Sequence, residues 1–282
     1  YSKLNGNLFF EGNMKQKLIA LDLDGTTLSD QSLLSVRTKN VLARLQKDNH
    51  LVMIATGRPY RNSKEFYETL KMTTPLVNFN GALCHNPTDS NWRNYYHKTL
   101  NKDFAMDLIE QREEMGIDFI CVEGKETLFA STATLPSNEY FPKNLLATQI
   151  TSKDKLSENP TSMNVFSEER NLHAIRDRIL ARYGNSIEIR TWGGTMPCLE
   201  IVSAGVQKAL GVEVVANNYG IKREDILAFG DEDNDMEMIR FAGHGVVMQN
   251  GIGALKRIAD DVTTHTNHED GLAIYLEKYF CL

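Results

Sequence analysis

The sequence predicts an α/β protein, a doubly wound parallel sheet whose chain is interrupted by one inserted α+β segment. Three observations predict it. Short apolar runs alternate with segments of helical period at both ends of the chain, as strands buried on both faces alternate with the helices covering them. Several of these runs stop abruptly at Asp, Thr, Asn or Gly, residue types suited to turns and to chemistry at strand tips. Between about residues 86 and 195 the alternation gives way to strand-like and helical pieces separated by polar stretches such as TSKDKLSENP.

The elements follow in order. LIALD (18–22) reads as a strand buried on both faces. Ser35 is placed to cap a helix running to about Asp48, with Val41, Leu42 and Leu45 at helical spacing. LVMIAT (51–56) is a second buried strand, stopped by Gly57 and Pro59; 60–71 is a helix; PLVNFN (75–80) is a third strand, ended by Gly81. This β-α-β-α-β order implies a parallel sheet with right-handed crossovers. In the middle, FICVEG, TLFA, MNVFS and SIEIRTW read as strands and 102–115 and 168–183 as helices, giving the insert a sheet of its own. The first pattern then resumes: helix 206–219, strand ILAFGD (226–231), helix DMEMIRFA, strand HGVVM (244–248), helix GALKRIAD and a last helix over 271–280. The expected division is a doubly wound core of 14–85 and 196–282 with an inserted α+β domain of 86–195. Residues 1–13, YSKLNGNLFFEGN, lack a clear period, and the NLFFEG part reads as the protease-site remnant of an expression tag.

Bulk properties narrow the function. A chain of 282 residues, 41% hydrophobic and 24% charged, suits two globular domains. A net charge of −6 disfavours broad nucleic-acid binding, and no window approaches membrane-spanning length. Cys84, Cys121, Cys198 and Cys281 are widely spaced, which argues against a zinc site or disulfide framework and fits a reducing cytoplasm.

Ligands bind such sheets at the carboxyl ends of the strands. There the sequence delivers Asp22 and Asp24; Thr56, Gly57 and Arg58; Asn80 and Gly81; then Asp231, Asp233, Asn234 and Asp235. Acids converging on one volume raise each other's pKa unless a cation joins them. A hard divalent ion answers this, and Mg²⁺ suits a site that shares its ligands with phosphate. A calcium loop does not fit DLDGT, because the segment follows a strand and its twelfth position is Leu33; counted from Asp231, the twelfth is Ala242. A solvated acidic turn would explain GDEDND alone, but not a second acidic strand end in the same sheet. Asp22 can attack an electrophile in line and form an acyl-type intermediate. Asp24 can give a proton to a leaving oxygen and later take one from water. Gly25 permits a sharp turn. Thr56 offers a hydroxyl, and the backbone N–H groups beside it can hold phosphate oxygens. Asp231 and Asp235 share one side of a helical turn, leaving Asp233 facing elsewhere. Lys208, near a helix start, supplies fixed positive charge for a phosphate dianion.

DLDGT, TGR, a lysine opening a helix and GDEDND, in that order, resemble the haloacid dehalogenase-like superfamily. NFNGA (78–82), CLEIVSAGVQK (198–208) and GHGVVMQNGIGALKRIADDVTTHTNHEDG (243–271) resemble its Cof-type phosphatase subfamily, with a class IIB cap. The likeness spans nearly everything after Met14 and is least specific in the middle. It implies a Rossmann-like core and an α+β cap that closes over it. It further implies Asp22 as the nucleophile that becomes an aspartyl-phosphate and Asp24 as general acid/base. Thr56, with Gly57, would bind phosphate; Lys208 would steady the nucleophile and the phosphoryl oxygens; Asn234 would hold the loop or the phosphate. Mg²⁺ would be held by the Asp22 side chain, the Asp24 carbonyl and Asp231, with Asp235 assisting. Haloalkanoate dehalogenases lack the second acid, so Asp24 favours an oxygen leaving group.

The expected activity is Mg²⁺-dependent hydrolysis of small phosphorylated metabolites such as sugar phosphates, by a monomer or homodimer, without nucleic-acid or membrane partners. A sugar phosphomutase or a sucrose-phosphate-type phosphatase is a related reading. A catalytically silent binding protein is a third, and the intact acidic set counts against it. Ala209 stands where the subfamily has Gly, and Gln249 where a small residue is common; both are expected near the substrate rim. Hinges are expected near 84–90 and 190–198, with Gly193 and Gly194 suiting the second. Arg190, Trp192 and Glu200 read as packing and ion-pairing residues.

Overall fold

A computed structural model of the protein describes residues 15–137, 140–151, 156, 158–192 and 196–282. Two sheets face one another across a cavity. The first is parallel, in the order Asp261–Val262, His244–Val247, Ile226–Gly230, Leu18–Leu21, Leu51–Ile54. A parallel bridge from Ala55 to Val77 attaches Leu76–Asn78, which then pairs antiparallel with Leu83–His85 and, through it, Tyr96–His97.

The double winding follows from strand alternation. Ile19, Leu21, Val52, Ile54, Leu227 and Phe229 point to one side, where they meet Leu42 and Leu45 of helix Val36–Lys47 and Leu272 and Leu276 of helix Gly271–Phe280. Leu18, Ala20, Met53, Ile226 and Ala228 point to the other, against Val212 and Val215 of helix Lys208–Asn218 and Met238 and Ile239 of helix Met236–Phe241. Both faces are thus apolar, which is why LIAL carries no polar residue; burying each such side chain contributes roughly 1.5–3 kcal/mol. Ser35 caps its helix as expected, accepting from Thr38 N–H at 3.0 Å.

The second sheet is antiparallel, in the order Leu128–Ala130, Phe119–Glu123, Ser162–Phe166, Cys198–Ser203, Ile187–Trp192. Helices Lys102–Glu110 and Glu169–Tyr183 cover one face, with Phe104, Leu108, Leu172 and Ile175 packed on Ile120, Val122, Val165, Leu199 and Ile201. The opposite face looks onto the parallel sheet. No helix among the described residues is long and apolar enough to cross a membrane.

Two expectations change. Cys198–Ser203, placed in the core segment 196–282 from sequence, is a strand of the second sheet, paired with both Ser162–Phe166 and Ile187–Trp192. Conversely, Tyr96–His97, placed in the cap, pairs with Leu83–His85 on the parallel-sheet side. The crossings therefore lie near 98–101 and 204–207 rather than near 84–90 and 190–198. Backbone pairing decides this: strands Ile187–Trp192 and Cys198–Ser203 run antiparallel in register and so belong to one sheet. Gly193 and Gly194 lie outside the described residues. Phe79, Ala82 and Leu83 pack against Val202 and Val206 beside the crossings.

Candidate active site

Asp22 sits one residue beyond strand Leu18–Leu21 and is nearly buried. The chain then turns through Leu23–Thr27 with Gly25 at φ +72°, where a Cβ would run into the Asp231 carboxylate. That approach is possible for glycine alone, and it lets Asp231 reach the first loop. Asp231 follows strand Ile226–Gly230, and Thr26 Oγ1 donates to its Oδ1 at 2.8 Å. Asp235 is fully buried four residues on; its Oδ2 accepts from the N–H groups of Asp231 and Glu232 at 3.0 and 3.1 Å. Asp233 points to solvent, as its place on the turn predicts.

Lys208 opens helix Lys208–Asn218 and is fully buried. Its Nζ donates to Asp22 Oδ1 at 2.6 Å and to Asp235 Oδ1 at 2.7 Å. Burial would lower its pKa, but the two carboxylates outweigh that and hold it above the ordinary lysine value. Burial pushes the Asp22 carboxyl well above its usual range; Lys208 pulls it back, and Asp235, Asp231 and Asp24 push it up again. Burial and the nearby Asp235 raise Asp231 to about 7. One oxygen from each of Asp22, Asp231 and Asp235 lies within 4.8 Å of the others. Three oxygen donors, two of them held back from ionising by burial and by the neighbouring carboxylates, form a donor set that fits a hard divalent cation.

Asp24 differs from Asp22 in environment. It is exposed at the cavity, and Arg58 grips it with both prongs, Nε to Oδ2 at 2.8 Å and Nη2 to Oδ1 at 2.5 Å. Arg58 also donates to Ser32 Oγ and lies over the Phe66 ring, 5.4 Å from its centroid. Thr56 is fully buried, its hydroxyl accepting from Arg58 N–H at 3.1 Å, while Gly57 lines the cavity. Asn234 lines it too and donates to Asn80 Oδ1 at 2.9 Å. Asn80 adopts φ +55° and packs on Gly57, whose Cβ would come 3.1 Å from its Oδ1. Its Nδ2 is shared between the two Glu200 oxygens at 3.1 and 3.0 Å.

The cavity between the sheets has a volume of about 950 Å³. Asp22, Asp24, Gly57, Asp231 and Asn234 line its floor, and Glu123, Asn164, Phe166, Trp192, Cys198 and Glu200 its ceiling, with Tyr140 and Phe141 at the side. Two buried carboxylates of the ceiling meet partners on the floor side. Glu123 pairs with Arg61, which also donates to the Tyr140 carbonyl at 3.0 Å. Glu200 takes the Asn80 amide and the Trp192 indole N–H at 3.1 Å. Burial pushes both carboxyls up; Arg61 opposes it at Glu123, and Arg190, Trp192 and Asn80 oppose it at Glu200.

Sequence reasoning assigns no role to Trp192 or Glu200 and does not single out Arg61, Asn80's amide, Glu123 or Asn164. A usable signal exists: Glu123 and Glu200 interrupt otherwise apolar strands, FICVE and CLEIVS, at positions that alternate onto one face. Ala209 and Gln249 are expected at the substrate rim, but neither lines the cavity. Ala209 is buried in its helix, and Gln249 bonds through its backbone to Thr263 and Lys256.

The chain matches the family model of haloacid dehalogenase-like hydrolases over residues 19–276. It is 41% identical over 271 residues to the 5-amino-6-(5-phospho-D-ribitylamino)uracil phosphatase YitU of Bacillus subtilis (strain 168), covering 95% of this chain and 99% of that one. It is 30% identical over 257 residues to the phosphatase YcsE of the same organism, which carries the same substrate in its name, covering 91% and 93%. Among solved structures, a haloacid dehalogenase-like hydrolase from Bacteroides thetaiotaomicron superposes with a TM-score of 0.80 at 27% identity, covering 94% of this chain and 100% of that one.

Proposed function

The chain belongs to the haloacid dehalogenase-like hydrolase family, and on that premise we propose that this phosphatase is Mg²⁺-dependent, forms a covalent intermediate on Asp22 and acts on 5-amino-6-(5-phospho-D-ribitylamino)uracil. The observation that carries the chemistry is the buried Lys208 bonded to both Asp22 and Asp235 beside Asp231. Lys208 neutralises the carboxylate that must approach a phosphate dianion. Asp22 attacks phosphorus as the bond to the ribityl oxygen breaks, and Asp24 gives that oxygen its proton. Asp24 then takes a proton from the water that attacks the aspartyl-phosphate, releasing inorganic phosphate and restoring Asp22. Thr56, the Gly57 N–H, Asn234 and Lys208 hold the phosphoryl oxygens. Asp22, Asp231 and the Asp24 carbonyl, with Asp235 assisting, would hold Mg²⁺, which supplies positive charge for the transferring phosphoryl group. Arg58 must yield its grip on Asp24 as the substrate arrives.

The substrate reading rests on likeness to YitU along nearly the whole chain, ceiling included. It narrows the expected sugar phosphate to a ribityl phosphate bearing a pyrimidine. A cavity of about 950 Å³ with Trp192, Phe166, Phe141 and Tyr140 among its lining offers more apolar ring surface than a bare sugar phosphate calls for.

Phosphate release from this substrate, from ribitol 5-phosphate and from a sugar-phosphate panel, with Mg²⁺ and after chelation, tests the proposal. The expected result is divalent-dependent turnover with the highest kcat/KM on the pyrimidine substrate. Equal or better turnover of simple sugar phosphates would overturn the substrate, and undiminished turnover after chelation would overturn the metal.

A further inference from the structure

The face of the antiparallel sheet that looks onto the floor has a definite order. Trp192 pairs in register with Cys198, and Cys198 with Phe166, so the three side chains stand in one row on one face. All three line the cavity. Trp192 and Phe166 are two strand spacings apart, about 10 Å, with only a small cysteine between them. Aromatic rings stack at centroid separations of about 4.5–7 Å, so one flat ring over Cys198 reaches both walls. Both walls are braced. The Trp192 indole N–H is tied to Glu200 Oε2 at 3.1 Å. Phe166 stacks on Phe119 at 4.4 Å and meets Phe141 edge-on at 5.7 Å.

Two positions along, the next row on the same face holds Glu200 and Asn164, again in register. The oxygens of Glu200 are engaged by Asn80 and Trp192. The Asn164 amide lines the cavity and has no side-chain hydrogen bond among the described residues. An amide carries donors and an acceptor side by side. The ring of an aminouracil presents a matching pair, an imide N–H beside a carbonyl.

We propose that this face is the specificity site for the leaving group: its pyrimidine ring lies over Cys198 between Trp192 and Phe166, and Asn164 pairs with its imide edge. The inference rests on the substrate proposed above. Glu200 acts through Trp192, as a positioning residue.

The experiment compares kcat/KM on 5-amino-6-(5-phospho-D-ribitylamino)uracil with kcat/KM on ribitol 5-phosphate, which shares the phosphate and polyol but has no ring. Asn164→Leu leaves the ring edge without its partner, and the ratio of the two values falls roughly 10- to 100-fold. Asn164→Asp, similar in size, keeps an acceptor but no donor and gives a smaller fall. Cys198→Leu fills the slot and lowers the same ratio. If the parent enzyme prefers the ring substrate and all three variants keep the parent ratio, the slot is overturned and the substrate stands. If the parent shows no preference, the substrate assignment falls and the slot with it.

Discussion

The floor and ceiling of the cavity are made by sheets of opposite kind. The floor is a parallel sheet seen end-on, with its polar residues in loops just past strand tips. Its buried charges are paired locally, Lys208 lying between Asp22 and Asp235. The ceiling is an antiparallel sheet seen face-on, with its polar residues in mid-strand. Its buried carboxylates are matched across the seam, Glu123 by Arg61 and Glu200 by Asn80. A strand tip gathers consecutive residues, so floor chemistry is a run such as DLDGT or GDEDND. A sheet face gathers every second residue from several strands, so ceiling chemistry is scattered over Glu123, Asn164, Trp192 and Glu200.

The contrast can be broken by treating the two surfaces separately. The largest effect is expected from Asp22→Asn, which cuts phosphate release about 10⁴-fold or more on every substrate, ringed or not. Its thermal midpoint does not fall, because a carboxylate that burial disfavours has been removed; parent-like turnover would break the covalent reading. Asp24→Asn comes next, with a loss of about 10²–10⁴-fold on alkyl phosphates. The loss is smaller on p-nitrophenyl phosphate, whose leaving oxygen needs no proton; equal losses on both would remove the acid role.

The seam between the surfaces responds to pH through His85. Burial, with help from Lys125 and from His97 on the adjacent strand, lowers its pKa to about 4. It meets Asn78 Oδ1 at 3.0 Å and the edge of Tyr60. Above pH 6.5 neither folded nor unfolded chain protonates it. As pH falls from 6.5 to 4 the unfolded chain takes a proton that the folded one refuses, costing about 3 kcal/mol. Unfolding free energies of the parent and His85→Gln, measured across that window, converge or cross by this amount; parallel curves would exclude His85 as the cause. The smallest effect is expected from Arg61→Leu, which strands Glu123 and costs about 1–3 kcal/mol of stability. It raises KM more than it lowers kcat, because it loosens the ceiling and leaves the floor intact. A loss confined to kcat would instead assign Arg61 a part in the chemistry of the floor.

Much of the floor is legible in the sequence. LIALD, LVMIAT and ILAFGD are strands at the expected places, because a strand buried on both faces must be apolar throughout and that pattern is local. Asp22, Asp231 and Asp235 meet as their positions after those strands suggest, and Lys208 reaches Asp22 and Asp235 from the start of its helix. The ceiling is legible as strands and helices but not as a site. CLEIVS shows where the limit lies. As sequence it reads as the chain's return to the core; in the fold it is a strand between two others, and only there do Glu200 and Cys198 acquire neighbours.

By itself, then, the sequence determined the α/β order, the buried strands and the acids at their tips, since each depends on residues close together in the chain. The tertiary structure alone decided which carboxylate Lys208 also reaches, that Arg58 grips Asp24, and which ceiling residues face the floor. Those depend on strand order and register, set by pairing between segments as far apart as Leu18–Leu21 and Ile226–Gly230, for which no local pattern codes.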